Sequence, residues 1–368
     1  MTATFIWKQV FTNYPQLHYP LLPQQITKYY CNLTGNYLQV RLNNQANEDA
    51  LIIHELMISR YPDCQIAQTL TFQNQPHFQV AGGQSLWTDA AEFPVTAGET
   101  YYLSLKATNI SGTINSLGYA PAHLIYQQLT APPNSSLKDY YYGIDALRCQ
   151  STDPAVLVSF FGDSIIGQGY LSENISRLFY HHWPQKITTC NAGIFGNRLL
   201  HSGQIMSQNP TSFSQAGNQR FNPDVLYDQP QIVITLTGSN DLMTAGAGCP
   251  NRDLPNSQQL ISGIQRLAKI CQWRKTIFVP LTLPPFQGAT NLGLATWQPL
   301  KEHVRKLTNH WIMQLPNAID LANYVTAKSN SAALAPEFDS GDHWHFSASG
   351  ARQISQFIYH ELRNAEVL

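Results

Sequence analysis

The hydrophobic period of the sequence changes between residues 130 and 155, and this change most constrains the fold. In residues 1–130, apolar side chains mostly alternate with polar ones, and clusters of Gly, Asn and Pro separate the alternating stretches. Such alternation is typical of short strands with one buried face. From residue 155, continuous apolar runs alternate with helical patterns, which is typical of parallel strands buried on both faces. We therefore predict two domains, residues 1–150 and residues 151–368.

The first domain is predicted to be an all-β sandwich or jelly roll without helices. Its strands are marked by three alternating sets: Leu38, Val40 and Leu42; Tyr101, Leu103, Leu105 and Ala107; and Ile52, His54, Leu56 and Ile58. The stretch Thr130–Ser136 is linker-like. We interpret the tyrosine-rich residues that follow, up to about residue 150, as an irregular continuation of this linker.

The second domain is predicted to be a three-layer α/β domain with a parallel sheet. The apolar runs Ala155–Phe161, Ile232–Leu236 and Thr276–Leu281 predict its buried strands. Apolar residues also recur at helical spacing in three sets: Leu260, Ile264, Leu267 and Cys271; Val304, Leu307 and Trp311; and Ala351, Ile354 and Ile358. Strands and helices therefore alternate along this half of the chain.

Charge and apolar patterning argue against several classes of function. Charged residues make up 12% of the chain and its net charge is −1, so we expect no binding to nucleic acid. Membrane insertion is not expected either, because no stretch approaches the roughly 20 apolar residues that a span requires. The N-terminus lacks secretory-signal features and the six cysteines are widely spread, which favours reduced thiols in a cytoplasmic protein; a mature exported chain would look the same. Low surface charge also permits a homo-oligomer.

The first apolar run of the second domain ends in Gly162-Asp163-Ser164. Ligands of open α/β sheets bind beyond the carboxyl ends of the strands. Ser164 stands where the next helix begins, so its hydroxyl can attack a substrate and its backbone N–H can face an oxyanion. A simple helix cap is the alternative interpretation.

Two further stretches at predicted strand ends offer hydrogen-bond donors. Asn240 follows the run Ile232–Leu236, and its side-chain amide can donate to developing negative charge or can form a turn. Gly196 lies in the stretch Asn191–Asn197, where two glycines allow backbone N–H groups to approach a ligand, or only make a turn.

Asp342 and His345 are three residues apart near the C-terminus, so on one turn they face the same side. The carboxylate can then fix the imidazole tautomer and leave the other ring nitrogen free as a base. Asp342 could instead cap the last helix, or Asp342, His343 and His345 could ligate a metal, which would need a distant fourth group or leave an open catalytic position. We expect no metal and no organic cofactor, and we expect His343 and Trp344 to line the rim of the site and contact substrate.

These four blocks, in this order, resemble the SGNH hydrolase superfamily, the GDSL-type lipases and esterases. The matching blocks are Gly162-Asp163-Ser164, Gly196 within NAGIFGN, Asn240 within GSND, and Asp342-x-x-His345. The resemblance covers roughly residues 155–360, and Asn191–Leu200, Arg220–Leu226 and Asp339–His345 resemble a subgroup with an N-terminal β-sandwich that is similar to carbohydrate acetyl esterases. Phe346 stands where proline is usual in the family.

The resemblance implies a flavodoxin-like catalytic domain in which Ser164 is the nucleophile and Asp342 and His345 activate it. The oxyanion hole would consist of the backbone N–H groups of Ser164 and Gly196 and the amide of Asn240. A different serine-hydrolase fold is disfavoured, since the α/β-hydrolase elbow requires Gly-x-Ser-x-Gly, which is absent around Ser164.

The function expected from these observations is serine-dependent ester hydrolysis through an acyl-enzyme. A small acyl group, such as acetyl, on a carbohydrate or similar polar alcohol is the favoured substrate, which makes a small-molecule or oligosaccharide ester the expected partner. A lipid, thioester or aryl esterase of the same fold is the alternative within the class. A catalytically inactive carbohydrate-binding protein is the alternative from a different class.

Overall fold

The computed structural model describes residues 2–13, 18–131, 136–151, 153–203 and 214–368. These residues divide into two units, and the division is not simply sequential. The first unit contains the chain up to residue 157 together with 179–190, and the second contains 158–178 and 191–368. The domain boundary between residues 150 and 151 stays a prediction.

The first unit is built from antiparallel strands. In chain order they are β1 (Thr2–Gln9), β2 (Thr12–Asn13), β3 (Tyr19–Pro20), β4 (Gln24–Tyr30), β5 (Gly35–Asn43), β6 (Leu51–Ser59), β7 (Ala67–Thr69), β8 (Phe78–Val80), β9 (Ser85–Trp87), β10 (Thr100–Thr108), β11 (Thr113–Ile114), β12 (Ser116–Tyr119), β13 (Tyr126–Gln128) and β14 (Tyr140–Ser151). One group of strands runs in the order β13-β4-β10-β6-β7, and in another β14 pairs with β1, β5 and β12. The predicted all-β character of this half is confirmed.

The side chains of β5 and β10 that were predicted to alternate into a core are buried. On β6 the prediction was wrong, because Ile52 is 39% exposed and Ile53 is buried instead. The pairing of β6 with β10 shifts by one residue at His54. One extra residue in a strand reverses the alternation, so Ile52 and His54 do not share the buried face of Leu56 and Ile58.

The tyrosine-rich segment predicted as irregular is the strand β14 and begins directly after a short 3₁₀ helix, Ser136–Asp139. Tyr141 is buried and contacts the rings of Phe11 and Tyr126, whose centroids lie 5.5 and 4.0 Å away. Tyr141 and Tyr142 are therefore core residues, which explains why the segment lacks the polar alternation of its neighbours. Residues 132–135 of the predicted linker lie outside the described residues.

From residue 156 strands and helices alternate, as predicted. The strands are β15 (Val156–Gly162), β16 (Ile187–Gly193), β17 (Ile232–Leu236), β18 (Ile277–Pro280), β19 (Thr290–Asn291), β20 (Leu294–Ala295), β21 (Thr326–Ala327) and β22 (Asn330–Leu334). The helices are α1 (Ser164–Gly167), α2 (Ser172–His182), α3 (Gly217–Asp224), α4 (Ser239–Met243), α5 (Ser257–Arg274), α6 (Pro299–Ile312), α7 (Leu321–Val325) and α8 (Ala348–Asn364).

The second unit contains the predicted parallel sheet, in which β17 pairs in parallel with both β15 and β18. Gly162 at the end of β15 is opposite Leu236 at the end of β17, so the segments after both strands start from the same edge. This is the flavodoxin-like arrangement that the resemblance implied. Among the described residues, no helix combines the length and apolar character that a membrane crossing requires.

Helix α5 buries its predicted apolar positions, whereas α6 does so only at Val304. Leu307 is 43% exposed, and the buried side of α6 carries Lys301 and Arg305 instead. Both cations have partners: the Lys301 ammonium donates to backbone carbonyl groups, and the Arg305 guanidinium pairs through two nitrogens with Glu302. Burial of a charge is tolerated when such partners replace water.

Gly193 ends β16 where it meets α1, and we expect Gly193→Ala to lower the melting temperature of the protein. An added Cβ would lie 2.3 Å from the nitrogen of Gly167, a backbone atom that cannot rotate away. Overpacking of this kind costs about 1–3 kcal/mol, or roughly 2–12 °C in Tm for a unit of this size. The control is Gly217→Ala, where the nearest atom to an added Cβ lies 3.2 Å away and the backbone is helical. A smaller Tm loss for Gly193→Ala than for this control would contradict the prediction.

Candidate active site

Ser164 is the first residue of α1 and is separated from the end of β15 by one residue, Asp163. The turn requires glycine before it, because a Cβ on Gly162 would lie 2.1 Å from the carbonyl oxygen of Leu236. Asp163 is the N-cap of α1, and its side chain accepts a hydrogen bond from the Ile165 N–H. The tripeptide Gly-Asp-Ser thus fixes the position of the serine hydroxyl at the carboxyl edge of the sheet.

The structure brings Ser164, His345 and Asp342 together as predicted. The Oγ of Ser164 lies 2.8 Å from Nε2 of His345, and Nδ1 of His345 lies 2.6 Å from Oδ2 of Asp342. The other carboxylate oxygen of Asp342 accepts the backbone N–H groups of Trp344 and His345. Partial burial alone would raise the pKa of Asp342, but the hydrogen bonds from the ring and backbone of His345 outweigh it and lower the pKa.

A second carboxylate–imidazole pair lies in the same loop. Nδ1 of His343 is 2.7 Å from Oδ2 of Asp339, and the side chain of His343 is 54% exposed. His343 adopts a left-handed conformation with φ of 63°. Its ring lies against Gly288, where an added Cβ would come within 2.9 Å of the ring. His343 therefore lies at the surface with its orientation fixed, and its contact with substrate stays a prediction.

The rim prediction is wrong for Trp344. This side chain is only 3% exposed, and its ring packs edge-on against Phe286 with centroids 5.8 Å apart. The indole is therefore a packing residue beneath the loop that carries His345. The side chains of adjacent loop residues point in different directions. The sequence did not show which of His343 and Trp344 would face solvent and which would be buried.

Asn197, in the loop after β16, is the neighbour of Gly196 in sequence and the hydrogen-bond partner of Asn240 on α4. Gly196 has a left-handed φ of 63°, and its backbone N–H donates to no atom in the part of the chain that the structure describes. The Asn240 amide donates to the carbonyl oxygen of Asn197 at 3.2 Å. This bond uses one amide hydrogen, which leaves the other for a ligand.

Arg220 is the main site residue that sequence reasoning did not assign a role. Its fully buried guanidinium donates to the carbonyl oxygens of Gly162 and Ala192, to the side chain of Asn197 and to Asp224. It therefore fastens the exit of β15 to the loop that follows β16. The stretch Arg220–Leu226 was noted only as part of the resemblance, and the polar sequence of α3 gives no sign that its arginine is buried.

Asp163 and Asp241 are buried carboxyls next to candidate site residues. Burial raises the pKa of Asp163 to about 7 and the pKa of Asp241 to about 6. Asp241 accepts the backbone N–H groups of Leu199 and Leu200 at 2.6 and 2.9 Å. Both carboxyls therefore accept hydrogen bonds from backbone groups of the site loops, which is a structural role.

The structure also bears on the cysteines and on the metal alternative. All six cysteines are free and buried. Among the described residues, no group of three His, Cys, Asp or Glu side chains is arranged to hold a metal ion. His343 and His345 instead each pair with a separate carboxylate.

A family model described as GDSL-like lipase/acylhydrolase matches residues 158–358, more than half of the 368-residue chain. Solved structures similar to this chain include a GDSL-like lipase from Bacteroides thetaiotaomicron, with 17% identity and a TM-score of 0.42 over 57% of this chain and 88% of the other. A lipase/acylhydrolase from Enterococcus faecalis has 20% identity and a TM-score of 0.42 over 57% and 96% of the two chains. An acetyl xylan esterase from Geobacillus stearothermophilus has 16% identity and a TM-score of 0.42 over 56% and 94%.

No curated protein matches the sequence significantly. The family model, which spans all four blocks around Ser164, Gly196, Asn240 and His345, decides the assignment. The chain belongs to the GDSL-like lipase/acylhydrolase family and is a carboxylic ester hydrolase.

Proposed function

We propose that this hydrolase cleaves its ester through a covalent acyl-enzyme on Ser164. The observation that supports it most is the continuous hydrogen-bonded chain from the Ser164 hydroxyl through His345 to Asp342, with links of 2.8 and 2.6 Å. A serine hydroxyl is a weak nucleophile until a neighbouring base removes its proton. The imidazole has this position, and the carboxylate holds the ring in the required tautomer.

In the proposed reaction, Ser164 Oγ attacks the ester carbonyl carbon while His345 Nε2 takes the hydroxyl proton. The tetrahedral intermediate collapses, the carbon–oxygen bond to the alcohol breaks, and His345 returns the proton to the leaving oxygen. Water then attacks the acyl-serine, with His345 again acting as base, and the carboxylic acid leaves. Asp342 stabilises the imidazolium in both steps through the 2.6 Å bond.

The proposed oxyanion hole consists of the backbone N–H groups of Ser164 and Gly196 and the side-chain amide of Asn240. The N–H of Ser164 lies in the first turn of α1, where helical N–H groups have no intrahelical acceptor. Donors that are already oriented stabilise the oxyanion without reorganisation, which makes them effective in catalysis. Arg220 supports this geometry because it holds the side chain of Asn197, the residue to which the Asn240 amide donates.

We expect Asn240→Ala to lower kcat by about 10²–10³-fold, because one donor to the oxyanion is lost. The measurement is the steady-state rate with p-nitrophenyl acetate. The matched control is Asn174→Ala on α2, which also removes an amide that donates to a backbone carbonyl group. Equal kcat values for the two variants would argue against the role of Asn240.

For the substrate, we propose a small acyl group, such as acetyl, on a carbohydrate or similar polar alcohol. The exposed imidazole of His343, oriented by Asp339, is positioned two residues from His345 and can exchange hydrogen bonds with hydroxyl groups. The resemblance to carbohydrate acetyl esterases supports the same class. A lipid, thioester or aryl ester is the alternative substrate.

A series of p-nitrophenyl esters of increasing acyl length, measured beside acetate release from acetylated xylo-oligosaccharide, tests this substrate class. We expect kcat/KM to be highest for the acetyl ester and acetate to be released from the oligosaccharide. A preference for long acyl chains, or no acetate release, would contradict the proposal. Cytoplasmic location and formation of a homo-oligomer also remain proposals.

A further inference from the structure

The first unit contains a cluster of two arginines around one tryptophan. This arginine–tryptophan cluster consists of Gln39, Arg41, Trp87, Asp145 and Arg148, on the neighbouring strands β5, β9 and β14. The guanidinium carbon atoms of Arg148 and Arg41 lie 4.0 and 5.7 Å from the Trp87 ring centroid. Both distances are within the range of cation–π contacts.

The two arginines differ in how their charge is balanced. Arg41 donates through two nitrogens to Asp145, at 2.7 and 2.9 Å. Asp145 is 1% exposed and also accepts the amide of Asn43 at 2.7 Å. Both oxygens of the Asp145 carboxylate therefore accept hydrogen bonds from side chains of the same sheet, and its negative charge balances that of Arg41.

Arg148 has no such counter-ion. Its Nε donates to Oε1 of Gln39 at 3.0 Å, and the Gln39 amide is itself fixed by a 2.8 Å bond to the Thr88 carbonyl oxygen. Across the described ranges, no carboxylate forms an ion pair with Arg148, and its two terminal nitrogens donate to no protein atom. Burial, followed by the nearby charge of Arg41, lowers the pKa of Arg148.

A half-buried guanidinium held in one orientation by a ring and an amide is suited to bind an oxyanion. Its two free terminal nitrogens form the flat fork that matches a carboxylate in a bidentate pair. The cost of holding an uncompensated cation near Arg41 is offset when a ligand brings the negative charge. Trp87, with Phe5 at a centroid distance of 6.1 Å, provides apolar surface beside this fork.

We propose that the arginine–tryptophan cluster binds a uronic acid residue of an acidic polysaccharide, with the carboxylate on the terminal nitrogens of Arg148. The charge complementarity identifies the carboxylate, and the partly exposed aromatic rings are suited to the C–H face of a pyranose. This site is independent of Ser164, so its existence does not rest on the proposed ester hydrolysis.

The test is isothermal titration calorimetry of the full chain with tri-galacturonate, which has no ester to cleave. We expect binding by the wild type, weakening at 0.5 M NaCl because salt screens the charge. Arg148→Gln should weaken binding by about tenfold or more, the usual effect of losing charge-assisted hydrogen bonds. Arg148→Lys should also bind more weakly, because an ammonium lacks the bidentate fork.

The matched control is Arg60→Gln in the same unit. Arg60 also stacks on aromatic rings, Phe93 and Tyr101 at 5.4 and 5.3 Å, but it is already paired with Glu99 at 2.6 Å. We expect its loss to leave the affinity for tri-galacturonate unchanged. Thermal unfolding and turnover of p-nitrophenyl acetate should be normal in both Arg148 variants, which separates this site from ester hydrolysis.

Two further ligands, a neutral trimer and acetate ion, test whether both the sugar and its carboxylate are recognised. Galactotriose, which has no carboxylate, should bind at least about tenfold more weakly than tri-galacturonate, and acetate ion alone should not compete at equal concentration. Equal binding of the neutral trimer, competition by acetate, unchanged affinity in Arg148→Gln, or no binding by the wild type would each overturn the assignment. None of these results would alter the expectation for Ser164.

Discussion

Ser164→Ala is expected to abolish ester hydrolysis, with kcat reduced by about 10⁴–10⁶-fold. The variant loses the oxygen that lies 2.8 Å from His345 Nε2, and no other nucleophile replaces it in the proposed reaction. The measurement combines initial rates with p-nitrophenyl acetate and labelling by a fluorophosphonate, which reacts with activated serines. We expect the wild type to be labelled and the variant not to be.

The control for this experiment is Ser262→Ala, which removes an exposed hydroxyl on α5. Its rate and labelling should match those of the wild type. The same Tm for all three proteins would show that loss of activity is not loss of folding. Near-normal turnover by a folded Ser164→Ala variant would end the acyl-enzyme proposal, and absence of labelling in the wild type would favour an inactive, binding-only protein.

Asp342→Asn is expected to lower kcat by about 10⁴-fold while the protein stays folded. The asparagine keeps an oxygen for the backbone N–H groups of Trp344 and His345. It removes the negative charge and presents N–H₂ to Nδ1 of His345, which favours the wrong tautomer. The measurement is kcat with p-nitrophenyl acetate, with Tm as the check on folding.

Asp339→Asn is the matched control, because Asp339 makes an equivalent contact with His343 in the same loop. We expect little change in kcat and, if His343 binds the alcohol part of the substrate, a change in KM for the oligosaccharide ester. A loss of kcat in Asp339→Asn as large as that in Asp342→Asn would mean that the supporting carboxylate has been wrongly assigned.

The lowered pKa of Asp342 also predicts the direction of the pH dependence of stability. A carboxyl whose pKa is lower in the folded state contributes stability above its unfolded pKa, about 4. This contribution is lost as the pH falls below that value toward the folded pKa. Tm measured between pH 3 and pH 7 should therefore fall less steeply in Asp342→Asn than in the wild type.

The residues that sequence reasoning placed correctly are those whose position follows from local rules. Ser164 comes at the end of an apolar strand, and the spacing of Asp342 and His345 fits one turn, so neither depends on distant parts of the chain. The buried strands were likewise marked by continuous apolar runs, and the helix α5 by its period. These features could be predicted because period and turn chemistry are properties of short segments.

The features that sequence reasoning missed depend on partners far along the chain. Lys301 is buried because carbonyl groups from other segments surround it, and these cannot be recognised in a helical period. Arg220 is similar, since three of its four hydrogen-bond partners, Asn197, Ala192 and Gly162, lie 23 to 58 residues away. The shift at His54 arises from pairing with another strand. Each of these is decided by tertiary contacts that override the local pattern.

The fastening role of Arg220 has a consequence for how this enzyme can diversify. The buried Arg220 side chain joins Gly162, next to the serine turn, to Asn197 and Ala192. The backbone that positions the catalytic groups is therefore held together inside the protein core. Substitutions of Arg220 or its partners should lower the stability of the whole unit, and activity and structure should be lost over the same temperature range. New substrate preferences can therefore arise most readily in segments outside the reach of this guanidinium, such as the loop of His343.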